Sequence, residues 1–180
     1  VLEGWMMGQA GGAALADILF GRVNPCGKLA ETFPLKLSDT PAYINWPGGA
    51  GKVLYGEGLH IGYRYYDARE LPVLFPFGHG LSYTTFSYSD LQVKGNSDHT
   101  VSVQVTVTNS GAMAGQEVVQ VYVAAQKSKQ PRPKKELKAF QKVSLLAGES
   151  KIITLTLEQS AFAYFHPKAH KWTVERGKYT

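Results

Sequence analysis

The sequence predicts an α/β fragment followed by an all-β region: the end of an α/β sandwich layer packed on an immunoglobulin-like antiparallel β-sandwich. Three observations predict it. Apolar residues recur at helical spacing near the start, over 9–20, and an irregular glycine- and proline-rich stretch follows. After Thr85 the hydrophobic period changes to two. Where the period switches, "LFPFGHGLSYTTF" (74–86) concentrates aromatics, glycines and a proline, which divides the chain into residues 1–85 and 86–180.

The first helix is expected over "QAGGAALADILF" (9–20), where Ala10, Ala14, Leu15, Ile18 and Leu19 fall on one face. Gly21 suits the left-handed position after a helix, and Pro25 prevents continuation. "GKLAETFP" (27–34) reads as a short strand ended by Pro34. Residues 35–72 read as irregular, with "WPGGAG" (46–51) a loop. This is too little material to form a sheet by itself.

In the second region Val101, Val103, Val105 and Val107 alternate with polar residues, as do Ile153, Leu155 and Leu157. Val119, Val121 and Val123 share a face after the turn "NSGAMAG" (109–115). Six or seven short strands separated by turns indicate a sandwich. Its lack of a Cys–Trp–Cys pattern favours a fibronectin type III-like variant over an antibody-type domain. At the joint, Phe75, Phe77, Leu81 and Tyr83 bring apolar area between the two regions, and Pro76, Gly78 and Gly80 fix a sharp path. A flexible linker would be rich in Gly and Ser and poor in aromatics.

Composition narrows the function classes. A hydrophobic fraction of 44% with 18% charged residues is that of a globular chain. No apolar run approaches the roughly 20 residues of a membrane span, so no membrane partner is expected. Cys26 is the single cysteine, which excludes an intramolecular disulfide and a cysteine-built zinc site within these residues; secretion and a reducing interior are both compatible. "VLEGWMMGQAGG" has neither the basic nor the apolar part of a signal peptide and starts without an initiator Met. The net charge of +5 divides into −1 over 1–85 (six Lys/Arg, seven Asp/Glu) and +6 over 86–180 (thirteen and seven). Its densest cluster, "KSKQPRPKK" (127–135), lacks interleaved aromatics and reads as a solvated loop, so nucleic acid is not expected as a partner.

Few residues offer chemistry. Glu57 lies in a glycine-rich loop, and an ion pair with Arg64 or a backbone contact is expected for it rather than general-acid duty. Tyr63, Tyr65 and Tyr66 are expected to pack against the sandwich, and Trp5 and Trp172 to be core. Trp46, in "NWPGG", is the candidate substrate-binding residue, an exposed aromatic on a loop. His60, His79, His99, His166 and His170 share no ligand spacing, so no metal is expected. No serine or cysteine triad is recognisable.

Four stretches, in order, resemble glycoside hydrolase family 3. "GGAALADILFGRVNPCGKLAETFP" is similar to that family's α/β sandwich near its end, and "VLYGEGLHIGYRYYD" (53–67) to its Tyr-x-Glu-Gly…Gly-Tyr-Arg-Tyr-Tyr-Asp segment. "LFPFGHGLSYTTF" resembles its domain-joining motif, and "KKELKAFQKVSLLAGES" the signature of its fibronectin type III-like domain. The family consists mainly of β-glucosidases, with β-xylosidases, N-acetylglucosaminidases and related activities. The resemblance implies a retaining mechanism with two carboxyl groups about 5–5.5 Å apart. The nucleophilic Asp belongs to an N-terminal (β/α)₈ barrel and the acid/base Glu to upstream sandwich residues, and no residue here matches either motif. No catalytic residue is therefore assigned, and the chain is expected to be a C-terminal fragment, clipped also after "GKYT".

The partners so implied are a β-glucoside or oligosaccharide substrate and the upstream barrel and sandwich domains, with no cofactor; a homo-oligomer is left open. One departure is Ala10 in "GQAGG", where many relatives carry Glu. The alternatives are a stand-alone fibronectin-like binding or scaffolding module, or part of a β-xylosidase of the same family.

Overall fold

The computed structural model describes all 180 residues. Helix α1 (Gly11–Leu19) lies inside the predicted interval. It closes where Arg22 and Val23 N–H both bond the Asp17 carbonyl, with Gly21 at φ 71°. None of its residues is fully buried, and only Leu15 and Ile18 of the apolar face are half-covered, so this chain leaves that face largely open.

The strand expected over 27–34 shrinks to Phe33–Pro34 (β1), paired antiparallel with Val73–Phe75 (β2). The register shifts between Phe33 and Pro34, and Pro34 has no N–H to extend the ladder. Leu29 instead joins the following turn: its N–H donates to His79 O at 2.8 Å and its carbonyl accepts from Gly78 N at 2.7 Å. The stretch read as irregular contains a helix, α2 (Tyr63–Arg69). It is short, three of its seven residues are tyrosines of modest helix propensity, and Gly62 at φ 52° starts it without a side-chain cap. Pattern alone does not reveal such a helix.

The β-region has the predicted sandwich. Strands β3 (Phe86–Gly95), β4 (Val101–Asn109) and β7 (Ser150–Leu157) form one sheet in the order β3-β4-β7. The facing sheet pairs β5 (Gly115–Val123) with β6 (Glu136–Leu145). Beyond β5, Ala124 and Thr180 exchange backbone hydrogen bonds at 2.7 and 2.9 Å, so the C-terminus lies along that sheet. A hairpin of β8 (Tyr164–His166) and β9 (Lys171–Thr173) completes the fold.

The period-two residues make the core. Val105, Val107, Ile153 and Leu155 from one sheet meet Val119, Val143 and Leu145 from the other. Val103, Val123 and Leu157 form a second cluster. Each such aliphatic contributes roughly 1.5–3 kcal/mol on burial. Two tryptophans expected in a core are not there. Trp5 rests against Phe33 but is half exposed, and Trp172 is 71% exposed on the hairpin beside Phe165. Tyr164 of the hairpin lies half-buried under Arg132, while Phe165 and Trp172 share its outer, exposed face.

Burial is unequal along the chain. Among residues 1–83 only Tyr66 is buried, whereas the sandwich holds the entire aliphatic core.

Candidate functional site

The residues that link the two regions form a joint in three parts. The first is polar and sits under "LFPFGHGLSYTTF". Asn24 Oδ1 accepts from the Ser82 hydroxyl and from Tyr83 N–H, both at 2.8 Å, while its amide donates to Ala114 O. Tyr83 donates to Ile18 O at 2.8 Å, tying the joint to the end of α1. Thr84 donates to Asn109 Oδ1 at 2.6 Å, and Asn109, fully buried, sends its amide to Met113 O and Leu145 O. All of its polar atoms are thus satisfied. Gly78, at φ 80°, lies so close to the Gln120 side chain that a Cβ would collide with it.

The second part is aromatic. Tyr63 packs against Phe77 with the rings tilted by 32° and centroids 4.7 Å apart, and meets Tyr122 edge-on at 6.0 Å. Its hydroxyl accepts from Leu137 N–H at 2.9 Å. Tyr63 therefore packs on the sandwich as expected, and Tyr66 is buried behind it. Leu81 and Tyr83 do not: Leu81 is exposed, and Tyr83 spends its hydroxyl on α1 and leaves half its ring in solvent.

The third part is ionic and was not legible in the sequence. Glu136 is met by Arg132 at 3.0 Å and by Arg64 and Lys138 at 3.4 Å. Burial works against its ionisation, but the Arg132 hydrogen bond and the charges of Lys138, Arg132 and Arg64 prevail and hold its carboxyl below the usual value. Lys134 pairs with Glu70, and Lys135 with Asp67 at 3.3 Å. The stretch read as a solvated basic loop is thus largely engaged: Arg132 is 6% exposed, Pro133 is buried, and both lysines clasp α2. The acidic residues of α2 and the turn after it draw the basic segment in. Lys28 and Glu117, both mostly buried, pair at 3.1 Å, and Tyr88 adds a hydroxyl to Glu117 at 3.3 Å. Burial and that carboxylate push the Tyr88 phenol above its usual range.

The structure separates the other candidates. Glu57 has no ion pair, since Arg64 turns from it toward Glu136 on β6; its carbonyl accepts from His60 N–H at 3.0 Å. Trp46 is 68% exposed on its loop, held by a hydrogen bond from its N–H to Ala42 O at 2.9 Å. His79 stacks on Phe75, and His166 Nδ1 accepts from Ala169 N–H. No group of three or more His, Cys, Asp or Glu side chains is placed to hold a metal ion. No helix is long and apolar enough to cross a membrane.

An α/β fragment with little core of its own is thus fastened to a five-stranded sandwich. Comparison with known proteins identifies the segment. Residues 1–83 match the glycosyl hydrolase family 3 C-terminal domain, and residues 117–180 a fibronectin type III-like domain. The chain is 56% identical over 182 residues to thermostable beta-glucosidase B of Acetivibrio thermocellus, covering 99% of this chain and 24% of that protein. It is 50% identical over 179 residues to an exo-alpha-(1->6)-L-arabinopyranosidase of Bifidobacterium breve, with the same coverage.

A crystal structure of a Bifidobacterium adolescentis GH3 beta-glucosidase superposes with a TM-score of 0.94 at 52% identity, over 98% of this chain and 26% of the other. The chain belongs to glycoside hydrolase family 3, in its C-terminal region. It spans about a quarter of the length of the curated relatives it matches.

Proposed function

We propose that this chain is the C-terminal portion of a retaining β-glucosidase that hydrolyses terminal β-D-glucosyl residues. Residues 1–85 form the end of the α/β sandwich domain and the joining segment, and 86–180 the fibronectin type III-like domain. It supports the catalytic domains and supplies neither catalytic carboxylate. The observation that carries this is the imbalance of burial: α1, the 43–46 stretch and the 53–61 loop expose Leu19, Phe20, Ile44, Trp46, Leu54 and Tyr55 together. Monomeric surfaces rarely leave so many large apolar side chains uncovered within so short a stretch of chain. The upstream barrel and sandwich residues cover them.

Trp46 is the residue of this chain proposed to reach the sugar, because it presents a large exposed ring on a loop. Under this reading nucleic acid is not a partner, since Arg132, Lys134 and Lys135 are already matched by carboxylates. The relative named for arabinopyranoside cleavage matches this region about as well as the β-glucosidases do. Sugar choice therefore rests with residues outside it.

The test is turnover by the full-length protein on a panel of chromogenic glycosides. The β-glucoside should be cleaved at least about tenfold faster in kcat/KM than the β-xyloside or α-L-arabinopyranoside. A preference for either of the others contradicts the substrate class.

A further inference from the structure

Four ion pairs cross the joint, and each side contributes two acids and two bases. From the α/β side, Lys28 meets Glu117 of β5 at 3.1 Å and Arg64 meets Glu136 of β6 at 3.4 Å. In the opposite sense, Lys135 meets Asp67 of α2 at 3.3 Å and Lys134 meets Glu70. Glu117 also accepts from the Tyr88 hydroxyl, and Glu136 also faces Arg132 and Lys138. Asp67 Oδ2 has no hydrogen bond; the Lys135 ammonium compensates its charge, and the Tyr122 phenol lies near it.

The interior of the sandwich carries nothing comparable. The buried members of its two clusters are all Val, Ile and Leu, and the buried Asn109 does not titrate. Its ion pair away from the joint, Lys151 with Glu149 at 3.0 Å, is on the surface. Glu175, which holds Ser128 and the Lys129 N–H, belongs to neither cluster. Acid therefore acts chiefly where the two regions meet. Against the opposing effect of burial, the Arg132 hydrogen bond and the neighbouring cations hold the Glu136 carboxyl below its usual value, and the Lys134 hydrogen bond does the same for Glu70. What these two carboxylates contribute is present above 4.5 and is lost as pH falls through the lowered values.

We propose that the joint is an acid-released latch: once its carboxylates are protonated, α2 and Lys28 come away from the sandwich, which keeps its own fold. Neutralising Asp67, Glu70, Glu117 and Glu136 leaves two uncompensated cations on each side, Lys28 and Arg64 facing Lys134 and Lys135. Attraction across the joint thereby turns into repulsion. Little apolar burial opposes the separation, since Tyr66 is the one buried residue on the α/β side.

The test is NMR of the isotopically labelled 180-residue chain, titrated from neutral pH to about pH 3, below the ordinary carboxylate range. The methyls of Leu71, Val73 and Val118, and the Leu137 N–H that donates to Tyr63, report on the joint; the methyls of Val107, Leu145 and Ile153 report on the sandwich core. The joint signals should change with a midpoint at least about one pH unit above any loss of the core signals. The double variant Glu117→Gln, Glu136→Gln should show the acid-form joint signals already at neutral pH, with the core signals in place. The proposal is overturned if joint and core signals are lost at the same pH, if the joint signals persist at the acid end, or if the variant keeps the parent's joint signals or loses its core signals at neutral pH.

Discussion

Glu136 gathers its near neighbours Arg132 and Lys138 together with Arg64 from α2. Glu136→Gln leaves these cations without their shared carboxylate and should cost about 2–3 kcal/mol in denaturant unfolding, less than the ~3–5 of a fully buried pair. Because its folded-state pKa is depressed, its contribution is fully present above the ordinary glutamate value of 4.5 and is lost as pH falls through the lowered one. Stability measured against pH should therefore drop on the acid side, and Glu136→Gln should flatten that limb.

Asn109→Ala removes four hydrogen-bonding roles in a site with no solvent and should cost about 3 kcal/mol or more, read as a lowered denaturant midpoint. Trp46→Ala in the full-length protein should raise KM about three- to tenfold with a smaller change in kcat. Of these residues only the loop exposure of Trp46 was legible beforehand, from its neighbours Pro47, Gly48 and Gly49. Glu136 and Asn109 each combine local partners with distant ones, Arg64 for the first and Thr84 and Leu145 for the second, which no local pattern shows. The nearness of Arg64 to Glu57 in the sequence pointed to a pair the fold does not make.

At the scale of elements, α2 holds the two regions together through Tyr63, which Phe77 backs and which meets Tyr122 edge-on and accepts from Leu137 N–H, with Lys134 and Lys135 clasping the helix. Phe77→Ala should remove about 2–3 kcal/mol, somewhat less than a fully buried Phe→Ala change, since the ring is only partly covered. Differential scanning calorimetry should then show the sandwich unfolding as its own transition. A single sharp transition at the original temperature would contradict the coupling role given to this ring. The strands of the sandwich were readable because a half-buried strand must alternate, and Val101 to Val107 alternate without interruption. Helix α1 was readable from its spacing and from Gly21. Helix α2 was not, because two turns of tyrosine-rich sequence carry no period long enough to detect and its stability comes from tertiary contacts. The β1–β2 pair is shorter still, and only the turn at Gly78 and Gly80 betrays where the chain reverses.

Across the whole molecule, a sandwich with an aliphatic core carries a layer with almost no interior of its own. Separated at 85/86, residues 86–180 should unfold cooperatively and bind little hydrophobic dye, while residues 1–85 should bind dye and scatter light through self-association. The broad plan was legible because a change of hydrophobic period and an aromatic joint are both written in local sequence. The absence of a core in the first part was not, since an apolar helix face looks the same whether its partner lies in this chain or another. The most direct measurement is release of chromophore from an aryl β-glucoside by the 180-residue chain alone beside the full-length protein at equal molar concentration. Turnover should come from the longer protein and none above background from the chain; robust hydrolysis by the chain itself would mean that it carries its own pair of reacting carboxyl groups.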